Sequence, residues 1–120
     1  MLAKNLDDLM IYKQCMELIY YTERITQKYP KSEKSALVAN IKTITYKCME
    51  DIIKAQKEYN YDNRMDVLND MDIKLKMLKV FVRISYKDKY INGKNYEAWS
   101  LKINNICNLL GGWIKSCQKH

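Results

Sequence analysis

The chain contains few residues that interrupt regular secondary structure, with three glycines and one proline among 120 residues. Such a scarcity predicts long, uninterrupted elements. The chain also has no run of about 18 apolar residues, so no transmembrane helix is expected. Its first residues, MLAKNLDDLM, include acidic side chains and no long apolar stretch, which argues against a signal peptide. We therefore expect a cytoplasmic protein built from long elements.

Residues suited to metal binding and catalysis are equally scarce. The single histidine is His120, and the cysteines (Cys15, Cys48, Cys107 and Cys117) form no Cys-x-x-Cys pair. A zinc site is therefore not expected, and reduced thiols packed in the core account for the cysteines most simply. The sequence has neither a Gly-rich phosphate loop nor a Gly-x-Ser-x-Gly elbow. We predict a protein that is not an enzyme and needs no metal or cofactor.

Positive charge is what the chain has in excess. It carries 21 basic and 14 acidic residues, a formal net charge of +7. A small, strongly basic domain suggests an anionic partner such as nucleic acid, an acidic protein or an anionic membrane surface. The alternative is that the charge only maintains solubility. Most of the basic residues are lysines, which favours attraction to phosphates over bidentate reading of bases. We expect nucleic-acid binding with weak sequence preference and strong salt dependence.

Apolar residues recur every three or four positions in four segments, which predicts four amphipathic helices. Pro30, the segment 60–63 and Asn92-Gly93 separate these segments. Short connections make neighbouring helices antiparallel, so we predict an all-α, up-down-up-down antiparallel four-helix bundle as a single domain over residues 1–120. The stripes are Ile11, Cys15, Leu18, Thr22, Ile25 and Tyr29; Leu37, Ile41, Ile44, Cys48, Ile52, Ala55 and Tyr59; Leu68, Met71, Leu75, Leu78 and Val82; and Trp99, Ile103, Ile106, Leu110, Trp113 and Cys117.

Two adjacent glycines, Gly111 and Gly112, lie inside the fourth apolar stripe. Each glycine disfavours a helix interior by about 1 kcal/mol relative to alanine. The stripe nevertheless continues in phase to Trp113, which favours an unbroken helix over a glycine stop. Glycines retained inside a helix indicate close packing. We expect another helix of the bundle or a second subunit to approach closely beside Trp113.

The third predicted helix carries a basic stripe beside its core stripe. Lys76, Lys79, Arg83 and Lys87 follow one another at steps of three, four and four residues. A stripe that borders the buried face is well placed to meet a partner, and we predict that it contacts phosphates. The alternative is a solvated helix face whose charge is partly neutralised by acids such as Asp72.

The chain has ten tyrosines, which raises the question of base stacking. Tyrosine is more often a boundary residue with a buried ring and a solvated hydroxyl. Tyr86 and Tyr90 are the best candidates for stacking, because they lie among Arg83, Lys87 and Lys89.

Several motifs occur in a specific order along the chain: YPKSEK at residues 29–34, RISYKDKYIN at residues 83–92, Tyr96, and LLGGWIKS at residues 109–116. In order and spacing they resemble the Avd family, the accessory variability determinants of diversity-generating retroelements. The resemblance spans nearly the whole chain. A more distant resemblance extends to four-helix proteins encoded by intervening sequences in bacterial ribosomal RNA genes.

The resemblance implies a basic four-helix bundle that assembles as a ring-like homopentamer with a central channel. Such proteins bind the element's reverse transcriptase and its structured template RNA. They support mutagenic copying of a template repeat but have no polymerase activity. The residues that match the family's basic positions are Lys31 and Lys34 after the proline, Arg83, Lys87 and Lys89 on the third helix, and Lys115 in the last motif.

The resemblance therefore implies a non-enzymatic accessory subunit of a diversity-generating retroelement. Its basic surface is predicted to hold structured RNA and cDNA or an RNA–DNA hybrid. The other predicted partners are the reverse transcriptase and further copies of the chain, and no membrane is involved. The alternative is a helical protein–protein interaction module of the ribosomal intervening-sequence type, without a retroelement role.

Overall fold

In the computed structural model, which describes residues 5–6 and 9–118, the chain is a bundle of four α-helices. Two single turns of 3-10 helix connect the first helix to the second. The helices are α1 (Met10–Ile25), α2 (Leu37–Lys57), α3 (Tyr61–Lys87) and α4 (Gly93–Gln118), and the 3-10 turns are Thr26–Lys28 and Lys31–Glu33.

The four helices pack side by side around one core. α1 packs against α2 and α4, and α3 packs against the same two helices. The bundle measures 47 × 24 × 22 Å, in keeping with the length of about 40 Å that a helix of α3's size spans. Because the connections are short, consecutive helices run antiparallel. The predicted up-down-up-down four-helix bundle is confirmed.

The predicted apolar stripes form the core. Trp99 is its largest fully buried side chain, and the buried residues of all four stripes pack together with it. The two tyrosines at stripe ends differ: Tyr29 is 3% exposed, whereas Tyr59 is 97% exposed. The prediction for Tyr59 was wrong because α2 ends at Lys57, which leaves this ring in the link to α3.

Two asparagines mark the starts of the third and fourth helices. The Oδ1 atom of Asn60 accepts a hydrogen bond from the Asn63 amide at 2.9 Å, and that of Asn92 accepts from the Asn95 amide at 2.8 Å. Such caps satisfy backbone donors that lack a partner within the helix. The segment 60–63, which was predicted to separate the second and third helices, is therefore the cap and first turn of α3.

A buried ion pair joins α2 to α3. The ammonium of Lys74 lies 2.7 Å from Oδ2 of Asp51, whose side chain is almost completely buried. A charge in such a position is tolerated only when it is paired. The pair therefore fixes the relative position of two neighbouring helices.

All four cysteines are free thiols within the bundle. Cys15, Cys48 and Cys117 are buried, and Cys107 is half-buried. Burial raises the pKa of the Cys15 thiol to about 12, and burial likewise raises the pKa of Cys48. These thiols are therefore protonated at neutral pH, as expected for cysteines that serve packing.

Candidate nucleic-acid interface

The basic stripe predicted on α3 is present along one side of that helix. Lys76 binds Asp72, one turn earlier, with 2.8 Å between Nζ and Oδ1, and this hydrogen bond raises the pKa of Lys76. Arg83 and Lys87 are exposed, and Lys79 is half-buried. Within residues 5–6 and 9–118, no ion pair engages these three cations. One charge of the stripe is therefore neutralised, and three remain available to an anion.

A shallow groove lies between α3 and α4 beside the stripe. It has a volume of about 240 Å³. The groove is lined by Lys79 and Arg83 from α3, and by Tyr96, Ser100 and Asn104 from α4. Such neutral hydrogen-bonding groups beside cations are suited to the phosphate and sugar of a nucleic-acid backbone.

Lys34, a predicted phosphate contact, has an intramolecular role. Its Nζ donates hydrogen bonds to the backbone carbonyls of Thr26 and Gln27, each at 2.7 Å. A cation is favourable at the carbonyl end of a helix, and Lys34 adds a charged donor there beside the Tyr29 amide, which also bonds the Thr26 carbonyl. Lys31 is exposed in the second 3-10 turn. The charge of Lys34 thus supports the fold, whereas no hydrogen bond or ion pair engages the ammonium of Lys31 in the described part of the chain.

Two of the family motifs, YPKSEK and RISYKDKYIN, meet at one end of the bundle. The buried ring of Tyr29 packs against Tyr90, with centroids 5.2 Å apart. The hydroxyl of Tyr90 donates to Oε2 of Glu33 at 2.7 Å, and this hydrogen bond raises the pKa of Tyr90. YPKSEK and RISYKDKYIN therefore form a structural junction between the α1–α2 and α3–α4 links. Tyr90 serves this junction, which leaves Tyr86 as the better stacking candidate.

An open cleft of about 860 Å³ adjoins this junction. Arg24 on α1 and Lys28 in the first 3-10 turn line one side, while Lys87 on α3 and Lys89 in the α3–α4 link line another. No carboxylate lines the cleft among the described residues. Four cations converging without an acid create a positive potential that attracts anions. The neutral lining residues are Tyr21, Ile25, Tyr86, Tyr90, Ile91, Asn92 and Asn95.

Lys89 adopts an unusual backbone conformation in this cleft, with φ of 66°. The backbone amide of Lys89 donates a hydrogen bond to the carbonyl of Tyr86, and the backbone amide of Tyr90 donates one to the carbonyl of Ser85. This pattern is the Schellman ending of a helix, in which the left-handed position usually holds glycine. A lysine there is strained, and retained strain is frequent at functional sites.

Arg24 and Lys28 line the cleft but were not predicted from the sequence. Arg24 lies in the last turn of α1, and its guanidinium is 5.5 Å from the ring centroid of Tyr21. The ammonium of Lys102 lies 5.3 Å from the same centroid. The only sequence signal was a pair of cations just before the YPKSEK motif. Their proximity to Lys87 depends on the tertiary fold.

Lys115 is far from this cleft. It lies near the end of α4, whose start borders the cleft, so about 35 Å of helix separates Lys115 from Asn92. The eight predicted contacts therefore do not form one patch. Lys31, Lys34, Lys87 and Lys89 lie towards one end of the bundle, Lys76, Lys79 and Arg83 lie along α3, and Lys115 lies towards the other end.

The glycine pair lies inside an unbroken α4, as predicted. Both glycines are exposed, and a Cβ added to either Gly111 or Gly112 would meet nothing within 4 Å. Close packing against another helix of the same bundle therefore does not occur among the described residues. Trp113 is half-buried against the core. Contact between the glycine pair and a second subunit remains a prediction.

An apolar stripe on the outer face of α3 was also missed. Ile73, Met77, Val80 and Ile84 recur at helical spacing and are 66%, 40%, 46% and 38% exposed. Isolated exposed apolar residues are common, but a contiguous row of them is typical of a protein contact. Its spacing is hard to distinguish in the sequence because a core stripe and a basic stripe run along the same helix. We refer to these four residues as the outer α3 stripe.

These features define a basic four-helix bundle with a cation-lined cleft at one end. The bAvd-like family model matches residues 9–117, so the chain belongs to the bAvd-like family. This is an accessory family that is not known as catalytic. No match was found among curated proteins. In the described part of the chain, no cluster of three potential metal ligands occurs, and no helix combines the length and apolarity needed to cross a membrane.

Proposed function

We propose that the protein is a non-enzymatic accessory subunit of a diversity-generating retroelement that acts in the cytoplasm. It binds the element's reverse transcriptase and its template RNA, cDNA or RNA–DNA hybrid. Family membership supports the retroelement role. The observation that carries nucleic-acid binding is the continuity of two positive surfaces: Lys87 ends the α3 stripe and also lines the cleft.

The geometry suits binding along a phosphate backbone. From Lys76 to Lys87 the stripe follows α3 for about 16 Å. Each phosphate that a lysine or arginine neutralises releases condensed counterions, so binding weakens as salt rises. Several copies of a chain with net charge +7 would add their fields in an assembly. The protein would hold the template near the polymerase without performing chemistry.

A charge-reversal variant tests this surface. In Lys79→Glu/Arg83→Glu, binding to a labelled structured RNA should weaken at least tenfold, since each reversal removes one phosphate contact and adds repulsion. Lys13→Glu/Lys47→Glu is the matched control, because both lysines are exposed on other helices and the net charge changes equally. Equal weakening in both variants would show that net charge, rather than the α3 stripe, determines affinity.

The outer α3 stripe supports self-assembly, which the family resemblance describes as a homopentamer. An uncharged apolar row fits the same apolar surface of another protein chain better than it fits phosphate. In Ile73→Glu/Val80→Glu, the mass measured by light scattering after size exclusion should fall towards that of one chain. Leu101→Glu is the control, because Leu101 is 61% exposed and lies outside the stripe. An unchanged mass in the stripe variant would exclude this face from the assembly.

A protein–protein interaction module without nucleic-acid binding is the second candidate, and the outer α3 stripe favours it. The two functions differ in their salt dependence. The proposed accessory subunit should bind structured RNA steeply less well as salt rises. An interaction module should instead bind the reverse transcriptase at high salt and show no RNA binding at low salt.

A further inference from the structure

We propose that the cleft between the end of α1 and the α3–α4 link binds one unpaired nucleotide of a nucleic-acid strand. Its base would stack on Tyr86, and its flanking phosphates would contact the surrounding cations. This inference rests on the proposed nucleic-acid binding and specifies that the cleft selects unpaired over base-paired nucleic acid. The cleft would therefore lie against a single-stranded part of the bound RNA or DNA.

The charges of the cleft support a phosphate ligand. Arg24, Lys28, Lys87 and Lys89 come from the ends of α1 and α3 and the segments that follow them, yet line one concave surface. Like charges brought together repel one another, and an anion between them relieves that repulsion. Glu33, the carboxylate of the adjoining junction, is engaged by the Tyr90 hydroxyl and does not line the cleft. The cations are therefore uncompensated by the cleft's own lining.

The ring of Tyr86 is held in position for stacking. One face packs against Tyr96, with centroids 4.6 Å apart and an interplanar angle of 21°. The side chain nevertheless remains 46% exposed. Gly93 lies beside the ring, and an added Cβ there would be in ordinary van der Waals contact with the Tyr86 hydroxyl, at 3.7 Å. A ring fixed from one side loses little freedom when a base covers the other side.

The backbone of Lys89 supplies an independent indication. Its φ of 66° lies in the left-handed region where glycine is favoured, so glycine at this helix ending would give a more stable fold. The lysine side chain contributes one of the four cleft charges. Its presence at a strained position is explained if that charge contacts a ligand.

Size and continuity favour a nucleotide within a strand. The volume of about 860 Å³ lies within the usual range for ligand sites. Through Lys87 the cleft continues into the α3 stripe, which offers contacts to successive phosphates. Bases in a duplex remain stacked and paired, so only an unpaired base can reach Tyr86. The ligand is therefore a single-stranded segment or end.

The test compares two RNA probes with the full chain. One is a short single strand carrying one 2-aminopurine, and the other is a blunt duplex with the same number of phosphates. Tyr86→Leu should weaken binding of the single strand about tenfold and leave duplex binding within about twofold of wild type, because base stacking is lost while charge is kept. Tyr86→Phe keeps the ring and should retain wild-type affinity. Wild type should also quench 2-aminopurine fluorescence, and Tyr86→Leu should not.

A second variant tests the cations of the cleft. Arg24→Gln/Lys28→Gln removes two charges that lie outside the α3 stripe, so single-strand affinity should fall and its salt slope should become shallower by about 1.4. Lys13→Gln/Lys47→Gln, with the same change in charge on exposed surface elsewhere, should have a weaker effect.

The outcomes separate this inference from the proposed function. Equal binding of the single strand by wild type and Tyr86→Leu would overturn the cleft assignment while leaving the α3 stripe intact. Equal losses with both probes would also overturn it, because they would indicate a structural role for Tyr86. Normal RNA binding by Lys79→Glu/Arg83→Glu would refute the stripe alone. Absence of binding by wild type would refute both proposals.

Discussion

Replacing the glycine pair with alanine should make the isolated bundle more stable. Gly111 and Gly112 lie inside α4, and an added Cβ would meet nothing within 4 Å at either position. Alanine is favoured over glycine in an exposed helix interior by about 1 kcal/mol. Gly111→Ala/Gly112→Ala should therefore stabilise the monomer by about 2 kcal/mol, which for a chain of this length raises Tm by about 8 °C.

The measurement is urea unfolding followed by circular dichroism, at a protein concentration where light scattering shows one chain per particle. Because stability and association are linked, the same variant is then compared with wild type at higher concentration. If the glycines permit close approach of another subunit, the alanine methyl groups should weaken self-association as they stabilise the monomer.

Two results would contradict this prediction. A monomeric variant no more stable than wild type would contradict the open surroundings of the pair. A stabilised variant with undiminished self-association would show that the glycines are not needed at a subunit contact, and the outer α3 stripe would remain the candidate interface.

Four further variants test individual contacts. Lys74→Leu should destabilise the bundle in urea by about 2–3 kcal/mol, because it leaves the buried carboxylate of Asp51 unpaired, and Asp51→Leu in the same chain should recover most of the loss. Lys89→Gly should raise stability by about 1 kcal/mol by removing left-handed strain, while weakening single-strand RNA binding. Lys34→Met should lower Tm, at a cost of about 1 kcal/mol, because two carbonyls after α1 lose their charged donor. Above about pH 9 the Cys15 thiol ionises in the unfolded chain, whereas burial raises its pKa to about 12 in the folded chain. The free energy of unfolding measured in urea should therefore fall as pH rises, by up to about 1.4 kcal/mol per pH unit, and Cys15→Ala should make that fall less steep.

The fold could be predicted because its determinants are local. A helical repeat of apolar residues is readable within a few turns, and every residue of the third predicted stripe, from Leu68 to Val82, is buried. The exposed Tyr59 was mispredicted because periodicity does not reveal where a helix ends. α2 ends at Lys57, two residues before Tyr59, and Asn60 then caps the start of α3.

The site was predictable only where it lies on one helix. The α3 stripe follows from spacing alone, whereas the cleft requires Arg24 on α1 to approach Lys87 on α3. No local pattern encodes that approach. Lys34 shows a further limit of prediction from sequence. Its sequence context suggests a cation available to phosphate, but it does not reveal that the ammonium already donates hydrogen bonds to two backbone carbonyls.

The family resemblance rests on sequence motifs, and the fold shows which contacts the residues of two of these motifs make. Tyr29, Glu33 and Tyr90 belong to two motifs far apart in the chain and form one junction. Part of each motif therefore maintains the shape of the bundle end. The cations beside that junction are the part proposed to bind ligand.

The most direct test of the account is the salt dependence of RNA binding. Affinity of the purified wild-type chain for a labelled structured RNA is measured across salt concentrations, beside Lys79→Glu/Arg83→Glu. We predict a steep linear fall of log affinity with log salt for wild type, and a slope shallower by about 2 in the variant. Absence of binding at low salt, or identical slopes for the two proteins, would contradict it.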